Sequence, residues 1–230
     1  MAEPTAQKEE PTEEFALLEA TANDIEDICN LAVLAHADDE LYKPMVRDMS
    51  ARGEYKLWEY HIAPRFDQDA IGEKSFKIVQ IATGKLVGYT QLAWPRSRTE
   101  EEKKDWDTML KARELPPIAG LDPYIAEFYC FRQTEFQIES GADEEEHFTR
   151  HGTFVHPEFQ RRGLGTWLCR HCNEIADTYG AAMYVSARPA SKKMFQNVGF
   201  EVVGELKLDM SRYGLDEDVS HVLKRDPQPQ

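Results

Sequence analysis

The residues best suited to chemistry lie in one stretch, Val155-His156-Pro157-Glu158-Phe159-Gln160-Arg161-Arg162-Gly163-Leu164-Gly165-Thr166. Two glycines beside two arginines, where a strand-like run gives way to a helical pattern, make a place for an anion. The first amides of a helix have no intrahelical partner, and the helix dipole adds positive potential around them. Gly163 and Gly165 lack a Cβ and let an anion reach the backbone, while Arg161 and Arg162 can add charge-assisted hydrogen bonds. The expected chemistry is the holding of a phosphate or pyrophosphate. A Walker loop is excluded because no Lys followed by Ser or Thr comes after the second glycine. The dinucleotide fingerprint G-x-G-x-x-G is excluded because Leu168 stands at the third glycine.

Other reactive side chains carry less. Cys169-Arg170-His171-Cys172 suggests a metal or redox pair, but both thiols fall inside one helical pattern and no second ligand pair follows at finger spacing. No metal is therefore expected, and Cys172 reads as a buried apolar residue. Asp38, Asp39 and Glu40 close the first helix, either as a solvated helix end or as a patch attracting a cationic amine. Tyr55, Trp58, Tyr60 and Trp94 read as core or as the walls of an acceptor pocket.

Positioning such a loop requires a strand before it and a helix after it. Around it the pattern reads strand, helix, strand, helix, strand: GTFV, GLGTWLCRHCNEIADTYG, AMYVSA, ASKKMFQNVG, FEVVGEL. The long helix carries Leu164, Leu168, Cys172, Ile175 and Tyr179 on one stripe and ends at Gly180. Upstream, Phe15 to Ala20 suits a first strand, and Thr21 with Asp24 gives a capping-box start to a helix bearing Ile25, Ile28, Ala32 and Ala35. Residues 36 to 70 are expected to hold a second helix plus loop. Phe76 to Ile81, a Thr83-Gly84-Lys85 turn and Leu86 to Trp94 make a hairpin. Residues 95 to 150 change character, with a charged helix-like run TEEEKKDWDTMLKARE and an aromatic stretch IAEFYCFRQTEF, and read as an insertion over the site.

The chain has 230 residues, 41% of them apolar, enough for one domain with a sizeable core. Its first 14 residues read as a disordered arm, the domain as 15 to 223, and residues 224 to 230 as a flexible tail. With 27 Lys and Arg against 42 Asp and Glu, the net charge is -15. Such a balance argues against nucleic acid and anionic membranes as partners and leaves basic or amine substrates open. Four cysteines are too few for a disulfide scaffold, no leader-like segment is evident, and no apolar run approaches the roughly 20 residues of a membrane span. An intracellular, cytoplasmic protein is the expectation.

The run QRRGLG matches the Q/R-x-x-G-x-G/A signature of the GCN5-related N-acetyltransferase (GNAT) superfamily, which holds the pyrophosphate of acetyl-CoA there. VHPEFQRRGLGTWL resembles the family's strand-loop-helix core, and MYVSARPASKKMFQNVGFEVVGE its next strand, cofactor-side helix and closing Gly-Phe. Residues 153 to 205 carry this likeness, and the Arg-Pro-Ala-Ser segment and long insertion look most like fungal members. The resemblance implies a mixed, mostly antiparallel sheet of six or seven strands with helices on both faces. It implies acetyl-CoA as co-substrate, with the pantetheine arm along Phe154 and Val155, where that strand splays from the one at Met183 to Ser186. The phosphates would rest on Gln160, Arg161, Arg162, Gly163, Leu164, Gly165 and Thr166. Ser191, Lys192 and Phe195 would flank the thiol end.

The resemblance also implies direct attack of an amine, small molecule or peptide, on the thioester. A backbone N-H would stabilise the oxyanion, and Glu127 and His156 are the candidate bases. Phe195 departs from the pattern, because the family commonly has a tyrosine there to protonate the departing thiolate. That departure keeps open a non-catalytic acyl-CoA binding or sensing module, and the same cleft also suits O-acetylation of a small alcohol.

Overall fold

The computed structural model describes residues 13–66, 72–102, 104 and 114–229. The arm expected over residues 1–14 and the charged run at 99–114 fall largely outside these residues. Seven strands form one sheet: β1 (Phe15–Glu19), β2 (Glu73–Gln80), β3 (Leu86–Ala93), β4 (Phe148–Val155), β5 (Met183–Ala187), β6 (Glu201–Leu208) and β7 (Asp218–Arg225). Their spatial order is β1-β2-β3-β4-β5-β7-β6. All neighbours are antiparallel except β4 and β5.

One face is covered by α1 (Ile25–His36), α2 (Tyr42–Val46), α3 (Ala51–Ile62) and a segment built of α4 (Pro123–Glu127), a π-helical turn (Phe128–Arg132) and α5 (Gln133–Glu139). The other face carries α6 (Leu164–Tyr179) and α7 (Pro189–Gln196). Thr21 and Asp24 form the capping box that starts the first helical turn, Thr21 N–H donating to Asp24 at 2.8 Å. Ile28, Leu31, Leu57, Trp58, Ile125 and Phe128 then fill the first face. Leu164, Leu168, Cys169, Cys172 and Phe195 fill the second, against Ile78, Val87, Phe148 and Met183. Ile125, Ala126 and Phe128 thus belong to the core, and the span from 95 to 150 ends inside β4, whose Phe148 is fully buried.

β3 is buried along nearly its whole length, as expected of a strand covered on both faces. β4, its neighbour, contains the feature that makes the site. Thr153 pairs with Thr90 and His151 with Gln91, so Gly152 is an extra residue, a bulge that bends the strand. Its φ is +26°, and a Cβ there would lie 2.7 Å from the Phe154 ring, so a glycine is required. Beyond the bulge β4 leaves β5. Their parallel pairing covers only Phe148–Met183, Thr149–Tyr184 and Arg150–Val185, and the strands then fork.

The expected tail boundary at residue 224 is corrected by two residues. Lys224 and Arg225 lie in β7, because the Arg225 guanidinium holds Asp177 of α6 through two bonds of 2.7 and 2.8 Å. Gln228 N–H donates to the same carboxylate. No helix among the described residues is long and apolar enough to cross a membrane.

Candidate active site

The anion loop folds as its residue types require. His156 N–H bonds to Val87 at the end of β4, Pro157–Phe159 make one 3-10 turn, and Arg161 and Gly163 adopt positive φ of 63° and 89°. α6 then begins without a side-chain cap, leaving the amides of Leu164, Gly165 and Thr166 facing outward at the positive end of a 16-residue helix. A Cβ added at Gly163 would meet nothing within 4 Å, so the space above the loop is open. Arg161 borders that space. Arg162 does not: its guanidinium is held by Glu14 and lies 4.9 Å from the centre of the Phe15 ring. The side chain of Arg162 therefore anchors β1 to the loop, and only its backbone remains for an anion.

A cavity of about 760 Å³ runs from this loop through the β4–β5 fork to the opposite face. Of the positions expected to hold acetyl-CoA, Phe154, Val155, Gln160, Arg161, Gly163, Leu164, Gly165, Thr166, Ser191 and Phe195 line it. The Gln160 amide donates to the Val155 carbonyl at 3.1 Å, and Ser191 Oγ donates to the Arg188 carbonyl at 3.1 Å. Lys192 is corrected. It leaves the cavity and reaches Glu205 of β6 at 3.6 Å, while Lys193, one residue on and 100° around α7, lines the wall instead. Phe195 is buried against Phe200, with the Arg150 guanidinium 5.2 Å from its ring centre. The open loop, the fork and the lining glycines fit a pyrophosphate with an extended amide arm.

The two candidate bases lie elsewhere. Glu127 is exposed at the end of α4 and does not border the cavity. His156 caps the 3-10 turn, its Nδ1 accepting from Glu158 N–H at 3.3 Å, and burial holds its pKa down. Glu127 lies within the aromatic segment, but on the helix its neighbours Ile125, Ala126 and Phe128 are the buried residues and Glu127 faces solvent. Asp38 is exposed and pairs with Lys43 at 3.6 Å, and Glu40 is exposed. Asp39 alone of the three borders the cavity. It accepts from the amides of Leu41 and Tyr42 at 2.9 and 3.0 Å and is bound by Arg188 at 3.2 Å. Arg188 also grips Asp218 and Ser220. Of the aromatics, Trp58 lines the cavity, Tyr55 packs on the core, Tyr60 is exposed, and Trp94 packs on Phe148 beneath the other face. Cys169 and Cys172 are buried under α6.

Three histidines that the sequence did not single out face the far half of the cavity: His36 on α1, His61 on α3 and His151 on β4. His36 Nδ1 bonds to the Ala32 carbonyl at 2.8 Å, with Tyr129 Oη 3.5 Å from its Nε2. His61 Nε2 lies 3.4 Å from Cys130 Sγ. Burial drives all three below the ordinary imidazole range, His61 to about 4 and His151 well down, with the Arg65 cation adding to both. They are scattered along the chain with no shared motif, which is why spacing alone could not find them.

The same shifts set a pH dependence of stability. An unfolded histidine takes up a proton near pH 6.5, whereas these folded ones resist it, so below that pH the unfolded state binds more protons. Stability is full above about pH 6.5 and is lost as the pH falls toward the folded values. Asp24 and Asp177, held below the ordinary aspartate range, act only further down. The melting temperature is expected to drop by roughly 5 °C from His61 alone between pH 7 and pH 5. Thermal unfolding of His61→Gln across that range should show a shallower slope, and an unchanged slope would contradict the assignment.

The comparisons with known proteins agree with this geometry. No curated protein matches the chain by sequence. Among solved structures, a polyamine N-acetyltransferase of Drosophila melanogaster, which forms N-acetylagmatine, aligns with a TM-score of 0.61 at 13% identity, over 93% of this chain and 100% of that one. A histone acetyltransferase HPA2 and related acetyltransferase of Corynebacterium glutamicum aligns with a TM-score of 0.59 at 16% identity, over 94% and 98%. A putative acetyltransferase of Salmonella typhimurium with its cofactor acetyl-CoA aligns with a TM-score of 0.54 at 14% identity, over 94% and 96%. At these identities the likeness shows the fold alone. A family model for the acetyltransferase (GNAT) family matches residues 43–200, more than half of the chain. The seven-stranded sheet with its forked parallel pair and the uncapped helix behind a glycine loop therefore belong to a member of the GNAT family of acetyltransferases.

Proposed function

We propose that this chain transfers an acetyl group from acetyl-CoA to an amine. One observation carries the reading: a single cavity joins the amides at the start of α6 to the β4–β5 fork and continues to a second, histidine-lined chamber across the sheet. Acetyl-CoA supplies the activated acyl group. Gly163, Leu164, Gly165 and Thr166 hold its phosphates, and the free edge of β4 at Phe154 and Val155 accompanies its amide arm through the fork. The bulge at Gly152 leaves a backbone group outside the regular ladder with β3, placed to stabilise the oxyanion that forms when an amine attacks. The acceptor enters from the side of α1, α3 and the π-helical turn. That the neighbours include a polyamine acetyltransferase supports an amine acceptor. The four cysteines are free, which suits a reducing, intracellular compartment.

The test is thiol release from acetyl-CoA with a panel of amines, beside thermal shift with CoA. A second reading, an acyl-CoA binding module, rests on Phe195, whose ring cannot donate a proton. Phe195→Tyr separates the two. In an enzyme, where water already protonates the thiolate, the change should leave kcat within about threefold of its starting value, less than the effect of a working general acid. If Phe195→Tyr creates transfer in a protein otherwise inactive toward the whole panel, the binding-module reading replaces the enzyme.

A further inference from the structure

We propose that the acceptor is a primary arylamine that enters as the free base. The inference rests on the acetyl-transfer reading and adds the substrate class. In a chain of net charge -15, the cavity is lined by Arg150, Arg161, Arg188, Lys193 and Arg65, the last paired at 3.3 Å with Glu73 of β2, and Asp39 is the sole acid among the described lining residues. Asp39 has no charge to spare, being held by Arg188 and two backbone amides. An alkylammonium entering here would leave water without a counterion, which is strongly unfavourable.

Nor does the chamber hold a base strong enough to free an alkylamine. The groups facing it from the surrounding elements are His36 with Asp39 and Arg188, His61 with Arg65 and Cys130, and His151 with Arg65, whose partner Glu73 on β2 is held by that guanidinium and by Gln91. Burial keeps the imidazoles neutral and weakly basic. An alkylamine resembles lysine, protonated up to about pH 10.4, so only a few molecules in 10,000 are free base at pH 7. An arylamine is already unprotonated there, because its lone pair is delocalised into the ring. After attack its nitrogen becomes acidic, and a weakly basic imidazole or a water can then take the proton.

The walls fit an aryl ring. Trp58, Tyr129 and Phe154 border the chamber, Trp58 standing edge-on to the other two with ring centres 6.2 and 5.2 Å away. Gln133 and Gln137 of α5 also line it, and the Nε2 of each is buried without a partner, Gln137 being only 6% exposed. Buried amide donors are normally satisfied, so these two point to an oxygen substituent on the ring. In the reaction the amine lone pair forms the C–N bond and the C–S bond breaks with its electron pair on sulfur. The proton shed by nitrogen passes to imidazole or water and from there to the thiolate, leaving neutral amide and CoA.

The experiment measures thiol release by the full chain with acetyl-CoA and 4-methoxyaniline, aniline, phenethylamine or putrescine between pH 6 and pH 9. The expected kcat/KM for 4-methoxyaniline exceeds those for putrescine and phenethylamine by at least about 100-fold at pH 7, and is flat between pH 7 and pH 9. Gln137→Leu should raise KM for 4-methoxyaniline more than for aniline while CoA still raises the melting temperature. Putrescine or phenethylamine as the better acceptor, with a rate rising about tenfold per pH unit, would overturn the substrate class and leave acetyl transfer standing. Silence toward every amine, in a protein still stabilised by CoA, would overturn both.

Discussion

Gly163→Asp is expected to abolish CoA binding while leaving the protein folded. The glycine sits at φ 89° at the start of α6, and a Cβ there projects into open space. An aspartate would place its carboxylate where the pyrophosphate must lie, beside the amides of Leu164, Gly165 and Thr166. Two like charges then compete for the same positive helix end, and affinity should fall at least about 100-fold, or about 2.7 kcal/mol. CoA at 100 times its dissociation constant stabilises the native protein by about 2.7 kcal/mol, worth roughly 5 to 10 °C in melting temperature. That rise should vanish in the variant.

Strain is the competing cause, since a non-glycine residue in the left-handed region costs about 1 to 2 kcal/mol. Gly180→Asp is the control. It has φ 80°, equally open space, and the far end of the same helix. There an aspartate also opposes the negative end of the dipole, so Gly180→Asp should be the less stable of the two and yet keep the full response to CoA. Loss of the response in both variants would move the phosphate site elsewhere.

Arg188→Ala should give the largest loss of stability. Arg188 is the residue before α7, and its guanidinium ties Asp39, after α1, to Asp218 at the start of β7. All three side chains are no more than 20% exposed. Removing the cation leaves two mostly buried carboxylates without a counterion. Breaking such a pair from one side costs about 3 kcal/mol or more, a drop of about 6 to 12 °C for a domain of this size. Arg188→Lys should recover only part, because an ammonium cannot fork between two carboxylates. Asp39→Asn and Asp218→Asn added to Arg188→Ala should recover most of the loss, and failure to do so would show that packing dominates.

The same substitution carries a functional sign. With Arg188 gone, Asp39 keeps its two backbone amides but loses its cation and becomes an uncompensated carboxylate on the cavity wall, so activity toward putrescine should rise relative to 4-methoxyaniline. Steady-state kinetics of the folded variant at low temperature would read this directly. An unchanged ratio would show that Asp39 does not set the charge of the acceptor chamber.

Local chemistry was enough to specify the glycine loop and the helix start behind it. Glycine spacing, adjacent arginines and the change from strand to helix period are all contained between Val155 and Thr166, because a helix start is built by consecutive residues. The strands around the hairpin, the capping box at Thr21 and the left-handed ends of α6 and α7 at Gly180 and Gly199 were legible for the same reason. Helical phase sets a limit even there. Lys192 and Lys193 are alike in sequence, and only the placement of α7 on the sheet sends one to Glu205 and the other into the cavity. Arg162 likewise turns to Glu14, a partner 148 positions away.

The histidine-lined chamber was decided wholly by tertiary structure. His36, His61, Tyr129 and His151 come from four separate elements, so no window of sequence contains the chamber they form. Their chemistry is also a property of the fold: burial makes the imidazoles weak bases, and Arg188 cancels the charge that Asp39 shows in the sequence. The net charge of -15 is a sum over the whole surface, whereas the walls of the chamber are chosen by packing. Helix starts and turns are local, so sequence sets them; a cavity is the space left between distant elements, and only their packing defines it.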